Sequence, residues 1–250
     1  MRKRACVFVD GENFRHTICD LFSTFDRREY LPRQARWEEL FDWFVSEASP
    51  GTERVRTYYY AIQWMDFFPF QLGKLRKDPA KLRRILSRHK PYQQQFAKLT
   101  GSQLAERTDQ IVAELQEKKR TMQDRFNGWL AIQNGIARKH RAVEFRRAGA
   151  IRYDLFEGSL GPEKAVDVKL ATDLICLARN YDVAVIVSGD QDYVPAVQVI
   201  KNEGRTAINV AFRTRGGRLL PGGAMRLNQE TDDSLEVAYT DLAGYLGIAT

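Results

Sequence analysis

The chain is poor in cysteine, in histidine and in long apolar runs, and each shortage removes a class of protein. Cys6, Cys19 and Cys176 are an odd number without paired spacing, which argues against a disulfide framework. Each sits among apolar neighbours and reads as a reduced packing residue. His16, His89 and His140 lie far apart and lack the spacing of a zinc site. No stretch reaches the roughly 18 apolar residues that a membrane span needs. Residues 2–4 are basic and residues 5–9 apolar, as at the head of a signal peptide, but Asp10 ends the apolar run far too early. A cytoplasmic protein without a membrane partner is therefore expected. No Gly-Lys-Ser/Thr phosphate loop is present, and Asp10-Gly11-Glu12-Asn13 puts acid where a dinucleotide fold wants G-x-G-x-x-G.

What is there is enough for a full core: 250 residues, 44% of them apolar. The net charge of +7 is unevenly spread. Residues 71–147 carry 19 Lys and Arg against 7 Asp and Glu, a net of +12, which leaves −5 for the rest of the chain. A basic segment is thus set into an acidic frame.

Apolar, β-branched runs at residues 6–9, 55–62, 143–145, 183–187 and 207–212 read as strands. Helical periodicity follows residue 11, covers Trp37 to Val45, and recurs over 166–178 and 194–200. Alternation of this kind predicts an α/β fold with a parallel sheet flanked by helices. The eighty or so residues between the second and third strands are too long for a loop and rich in helix formers. They read as a basic helical insertion over 63–140, set into a domain made of 1–62 and 141–250. Within it Asp78-Pro79 starts a helix that Pro91 is expected to end, and Ser102 caps a longer one with a break expected at Asn127-Gly128.

The informative feature is where the acids fall. Asp10 closes strand one, Asp167 begins the helix after strand three, and Asp190 and Asp192 close strand four. In an open parallel sheet the carboxyl ends of the strands share one edge, where ligands collect, so these distant acids are expected to converge. Clustered carboxylates repel one another unless a cation lies between them. Oxygen-only ligands select Mg²⁺ or Mn²⁺, and such an ion with open positions suits phosphodiester hydrolysis. A lone Asp at a strand end is more often a cap or turn residue; the joint placement favours the metal. Asn13 either caps the first helix or orients a bound water or phosphate. Asp173, six residues beyond Asp167, falls off that face of the helix.

Val7-Phe8-Val9-Asp10-Gly11-Glu12-Asn13, Lys164-Ala165-Val166-Asp167-Val168-Lys169-Leu170-Ala171-Thr172-Asp173 and Val185-Ile186-Val187-Ser188-Gly189-Asp190-Gln191-Asp192-Tyr193-Val194-Pro195 resemble the three signature blocks of the NYN domain, LabA-like branch, in the PIN-like nuclease superfamily. The resemblance covers residues 4 to about 61 and about 142 to 237, and leaves the insertion outside. It implies a PIN-like (Rossmann-like) sheet and RNA as substrate. It also implies a metal site at Asp10, Asp167, Asp190 and Asp192, with Asn13 and Asp173 as lesser members. Ala165 departs from the family, which often has Gly there.

An acidic site needs basic surface beside it to receive RNA. One candidate is Arg213-Thr214-Arg215-Gly216-Gly217-Arg218, where Arg213, Arg215 and Arg218 can grip phosphate. Lys164, at the head of the second block, is another. A third is the insertion, where Lys74, Arg76, Lys77, Lys81, Arg83, Arg84, Arg88 and Lys90 lie near Tyr92 and Phe96, which can stack on bases. The expected function is metal-dependent RNA hydrolysis. The alternative is a non-catalytic RNA-binding or regulatory module on the same fold. A homo-oligomer is compatible with the sequence.

Overall fold

The chain was analysed as a computed structural model that describes residues 2–69, 78–96 and 98–249. Three strands with almost unbroken apolar sequence form the centre: β1 (Arg4–Asp10), β5 (Val183–Val187) and β6 (Thr206–Arg213). Their residues are buried nearly throughout, as happens when a parallel sheet is covered on both faces. β1 runs parallel to β5 on one side and to β2 (Glu53–Phe68) on the other, and β5 runs parallel to β6. With β3 (Val143–Asp154), β4 (Ser159–Lys164) and β7 (Leu219–Leu220), the strand order is β4-β3-β2-β1-β5-β6-β7. A further strand, β8 (Asp233–Ala238), pairs parallel to β6. The expected α/β class, with a mostly parallel sheet flanked by helices, is the one observed.

The chain divides into two compact units. One comprises Met1–Gln63, Gly128–Gly149 and Lys164–Thr250, and the other Trp64–Asn127 with Ala150–Glu163. In the first unit, α1 (Gly11–Leu21) and α2 (Trp37–Ala48) bring Phe14, Trp37, Phe41 and Phe44 into one aromatic cluster with Phe212 of β6. Such rings give large apolar burial with definite edge or tilted geometry. α6 (Val166–Cys176) and α7 (Val194–Asn202) pack on one another, α6 also on β1 and α7 on β6. α8 (Ala224–Glu230) packs on β6, and α9 (Tyr239–Leu246) packs on α2 and β8.

The second unit contains α3 (Pro79–Leu86), α4 (Lys90–Phe96) and most of α5 (Gly101–Lys139). Asp78 caps α3 as expected, its side chain accepting from Lys81 N at 3.0 Å. Ile111, Leu115, Met122 and Phe126 form a buried stripe along α5.

Several local expectations are corrected. The long helix starts at Gly101 and continues through Gly128 without the expected break. A Cβ at Gly128 would meet nothing within 4 Å, so this glycine sits on an open helix face and makes no turn. Pro91 lies in the first turn of α4, where its missing N–H costs nothing, rather than ending α3. Cys176 is exposed, unlike the buried Cys6 and Cys19, because it falls on the outer side at the end of α6.

Candidate active site

Strand register builds the site. Val9 of β1 stands opposite Val187 of β5, so the next residues, Asp10 and Ser188, leave the sheet side by side. Ser188 Oγ donates to Asp10 Oδ2 at 3.0 Å. The other oxygen, Asp10 Oδ1, accepts from Asn13 N at 3.1 Å and so caps α1. One carboxylate thus closes the strand and starts the helix. Asn13 Oδ1 accepts from Gly189 N at 3.3 Å, which ties the first sequence block to the third.

Tyr193 joins the second block. Its hydroxyl lies 3.1 Å from Asp10 Oδ2 and 3.1 Å from Asp167 Oδ1. Burial first, and then the charges of both acids, push this phenol far above its usual range, so it stays protonated. A single hydroxyl proton cannot serve two carboxylates at once. The bridge is complete only when a second proton, or a cation, is shared among them.

The carboxyl groups show the same conflict. Asp10 is 2% exposed. Burial, followed by the nearby charge of Asp167, pushes it up to about 7, against the hydrogen bonds from Asn13, Ser188 and Tyr193. Asp167 is half-buried and also raised, by burial first and then by the charges of Asp190 and Asp192, with the Tyr193 hydrogen bond opposing. Asp190 N donates to Ser188 Oγ at 3.1 Å, and Asp190 Oδ1 caps the short turn Gln191–Tyr193 by accepting from Asp192 N at 2.9 Å.

Asp10, Asn13, Asp167, Asp190 and Asp192 therefore gather at one sheet edge. The donor set is all oxygen, without the nitrogen or sulfur that would favour zinc, and its raised acids fit a hard cation. Among the described residues, however, no three His, Cys, Asp or Glu side chains are grouped so as to hold an ion as they stand.

Asp173 does not join them. Arg146 Nη1 donates to it at 2.6 Å, Lys169 Nζ at 2.8 Å and Tyr60 OH at 3.1 Å. Burial acts to raise this carboxyl, but Lys169 and Arg146 outweigh it and hold the group below its ordinary range. With two cations already on its oxygens, Asp173 is a structural ion-pair residue here, against its expected place in the metal set.

The basic candidates fall in both units. Arg213 is paired with Glu236, whereas Arg215 Nε donates to the neutral Tyr239 OH at 3.0 Å and keeps its charge. Arg218 and Lys164 are exposed. Arg83, Arg84 and Arg88 are exposed in the second unit, where the ring of Tyr92 packs edge-on against Phe156. Lys74, Arg76 and Lys77, and the side chain of Lys90, lie outside the described residues.

Tyr193 was not singled out by the sequence reading, although it stands within the third block. Its position directly after Asp192 was the available signal. Ala165 carries another: it takes φ +71°, the left-handed region, and among the described residues no other non-glycine does so. That conformation accounts for the glycine expected there.

A parallel α/β domain with acids gathered at the carboxyl ends of its strands defines a PIN-like class of fold. Residues 96–220, half of the chain, match the NYN domain family, and the chain belongs to it. The match takes in the second and third blocks and much of α5, which the sequence reading had placed outside the domain. It leaves out the block around Asp10. No curated protein matches the chain. A crystal structure of a protein of unknown function from Vibrio parahaemolyticus is similar at 15% identity and a TM-score of 0.40, over 94% of this chain and 93% of that one.

Proposed function

We propose that the protein is a metal-dependent ribonuclease of the LabA-like branch, hydrolysing RNA phosphodiester bonds in the cytoplasm. The observation that carries this reading is the pair Asp10–Asp167, two raised carboxyls held on one tyrosine hydroxyl with no cation among the described residues paired to either. Mg²⁺ or Mn²⁺ would be held by Asp10 and Asp167, with Asp190 and Asp192 beside them. When bound, the ion supplies charge neutralisation at the phosphate and a water of lowered pKa. The chain's own part is to fix the carboxylates: Ser188 and Asn13 orient Asp10, Tyr193 spaces it from Asp167, and Asp190 turns the backbone so that Asp192 faces solvent.

The test is incubation of the purified protein with single-stranded and structured RNAs in Mg²⁺ or Mn²⁺, with EDTA as control and Asp167→Asn as variant. Cleavage that needs the metal and is lost in the variant supports the reading. Metal-independent cleavage, or full activity of the variant, contradicts it.

A second reading, a non-catalytic RNA-binding or regulatory NYN module, is favoured by the lack of any three-ligand group among the described residues. Asp190→Asn separates the two. An enzyme loses turnover and keeps most of its RNA affinity, whereas a binding module has no turnover to lose.

A further inference from the structure

Beside the acidic turn stands an arginine that the sequence did not single out. The chain after β7 crosses the third block in direct backbone contact. A Cβ on Gly189 would fall 2.6 Å from Pro221 Cγ, and a Cβ on Gly223 would fall 2.6 Å from Gly189 O. Neither position has room for a side chain, so residues 221–223 are seated on the turn that carries Asp190. α8 begins at once from this seat, and its third residue, Arg226, donates from Nη1 to Gln191 Oε1 at 2.7 Å. Gln191 is the residue between Asp190 and Asp192.

Arg226 is exposed and, among the described residues, forms no ion pair although acids flank its partner on both sides. Arg215 and Arg218 are likewise exposed and unpaired with acid, but it is Arg226 that is held on the acidic turn itself. Arg146 is neutralised by Asp173 and Glu144, and Arg213 by Glu236. A glutamine amide orients a guanidinium without cancelling its charge. One of five N–H donors is spent on Gln191, which leaves Nε and Nη2 as a fork of the kind that grips phosphate.

We propose that Arg226 is the substrate-positioning cation of this site, holding a backbone phosphate of single-stranded RNA beside the carboxylates, with Gln191 as the residue that aims it. The inference rests on the ribonuclease reading above, and gives it a positive group beside the acidic turn to offset the repulsion of an RNA backbone.

The test is anisotropy of a labelled single-stranded RNA, with Ca²⁺ as a non-cleaving ion, over a salt series, and in parallel single-turnover cleavage in Mn²⁺. For Arg226→Gln the expected result is binding weaker by about tenfold at moderate salt, with a salt slope shallower by about one. Arg226→Lys should restore the slope and part of the affinity, since it returns the charge but not the fork. Gln191→Ala should keep the slope and lower the cleavage rate. A merely structural role would leave the salt slope unmoved. Unchanged affinity and slope in a folded Arg226→Gln protein overturn the inference while leaving ribonuclease activity intact. If the wild-type protein binds RNA through Arg226 but cleaves none with any ion, the enzyme reading has failed and the positioning role stands. Absence of RNA binding by the wild type overturns both.

Discussion

Arg146 and Asp173 meet at 2.6 Å on a carboxylate that Lys169 and Tyr60 also reach, so an acid of the second signature block is tied to β2 and β3 rather than to its fellow acids. The pair is mostly shielded, with the Asp173 side chain 7% and that of Arg146 19% exposed. Asp173→Asn leaves Arg146 with Glu144 as its remaining acid and should destabilise the fold by about 2 kcal/mol, less than a fully buried pair because Lys169 is solvated. Since the folded-state carboxyl lies below its ordinary value near 3.8, this contribution is present above that pH and is lost as pH falls through the depressed value. Denaturant midpoints of wild type and variant at pH 7 and below pH 4 check it. The difference should shrink on acidification.

Asp10 has the opposite sign. Its folded-state value of about 7 stands above 3.8, so its contribution is full below the lower value and is lost as pH rises through the higher one. The metal-free protein should therefore melt at a lower temperature at pH 8 than at pH 5.5, with the difference reduced in Asp10→Asn. Mn²⁺ should raise the melting temperature more at the higher pH, where the carboxylates are charged.

Tyr193→Phe removes the hydroxyl between Asp10 and Asp167 and nothing else. The ring remains buried, so the fold should persist with a loss of about 2 kcal/mol. Mn²⁺ affinity, read by calorimetric titration, should weaken by about tenfold or more, as for other groups that orient metal-binding carboxylates. Unaltered affinity would mean that the tyrosine only fills space.

Ala165 and Gly149 give a paired test of backbone strain. Ala165→Gly relieves a side chain at φ +71° and should stabilise the protein by about 1 kcal/mol. Gly149→Ala should destabilise it by more, because its Cβ would fall 1.7 Å from Lys164 O. Thermal melts of the two variants decide the matter.

The parts legible in the sequence are those where local chemistry and burial agree. The runs at β1, β5 and β6 announce themselves because strands buried on both faces must be apolar throughout. β4 and β8 were missed because Ser159–Lys164 and Asp233–Ala238 are half exposed and carry no such run. The convergence of Asp10 and Asp190 was readable, since β1 and β5 run parallel and share an edge; Asp167 joins them from a helix that follows β4, not the third strand as expected. The separation of Asp173 was readable as an offset on a helix, but its cations were not, because Arg146 arrives from a distant strand. Arg226 was invisible for a similar reason. Its place depends on Gly189, Pro221 and Gly223 fitting backbone to backbone, which no spacing within the chain reports.

The account stands most directly on what lies between Asp10 and Asp167. A crystal soaked in Mn²⁺ and measured for anomalous scattering should show an ion within about 2.2 Å of an oxygen from each. An ion bound elsewhere, or none, with Tyr193 still bridging the two acids, would contradict it.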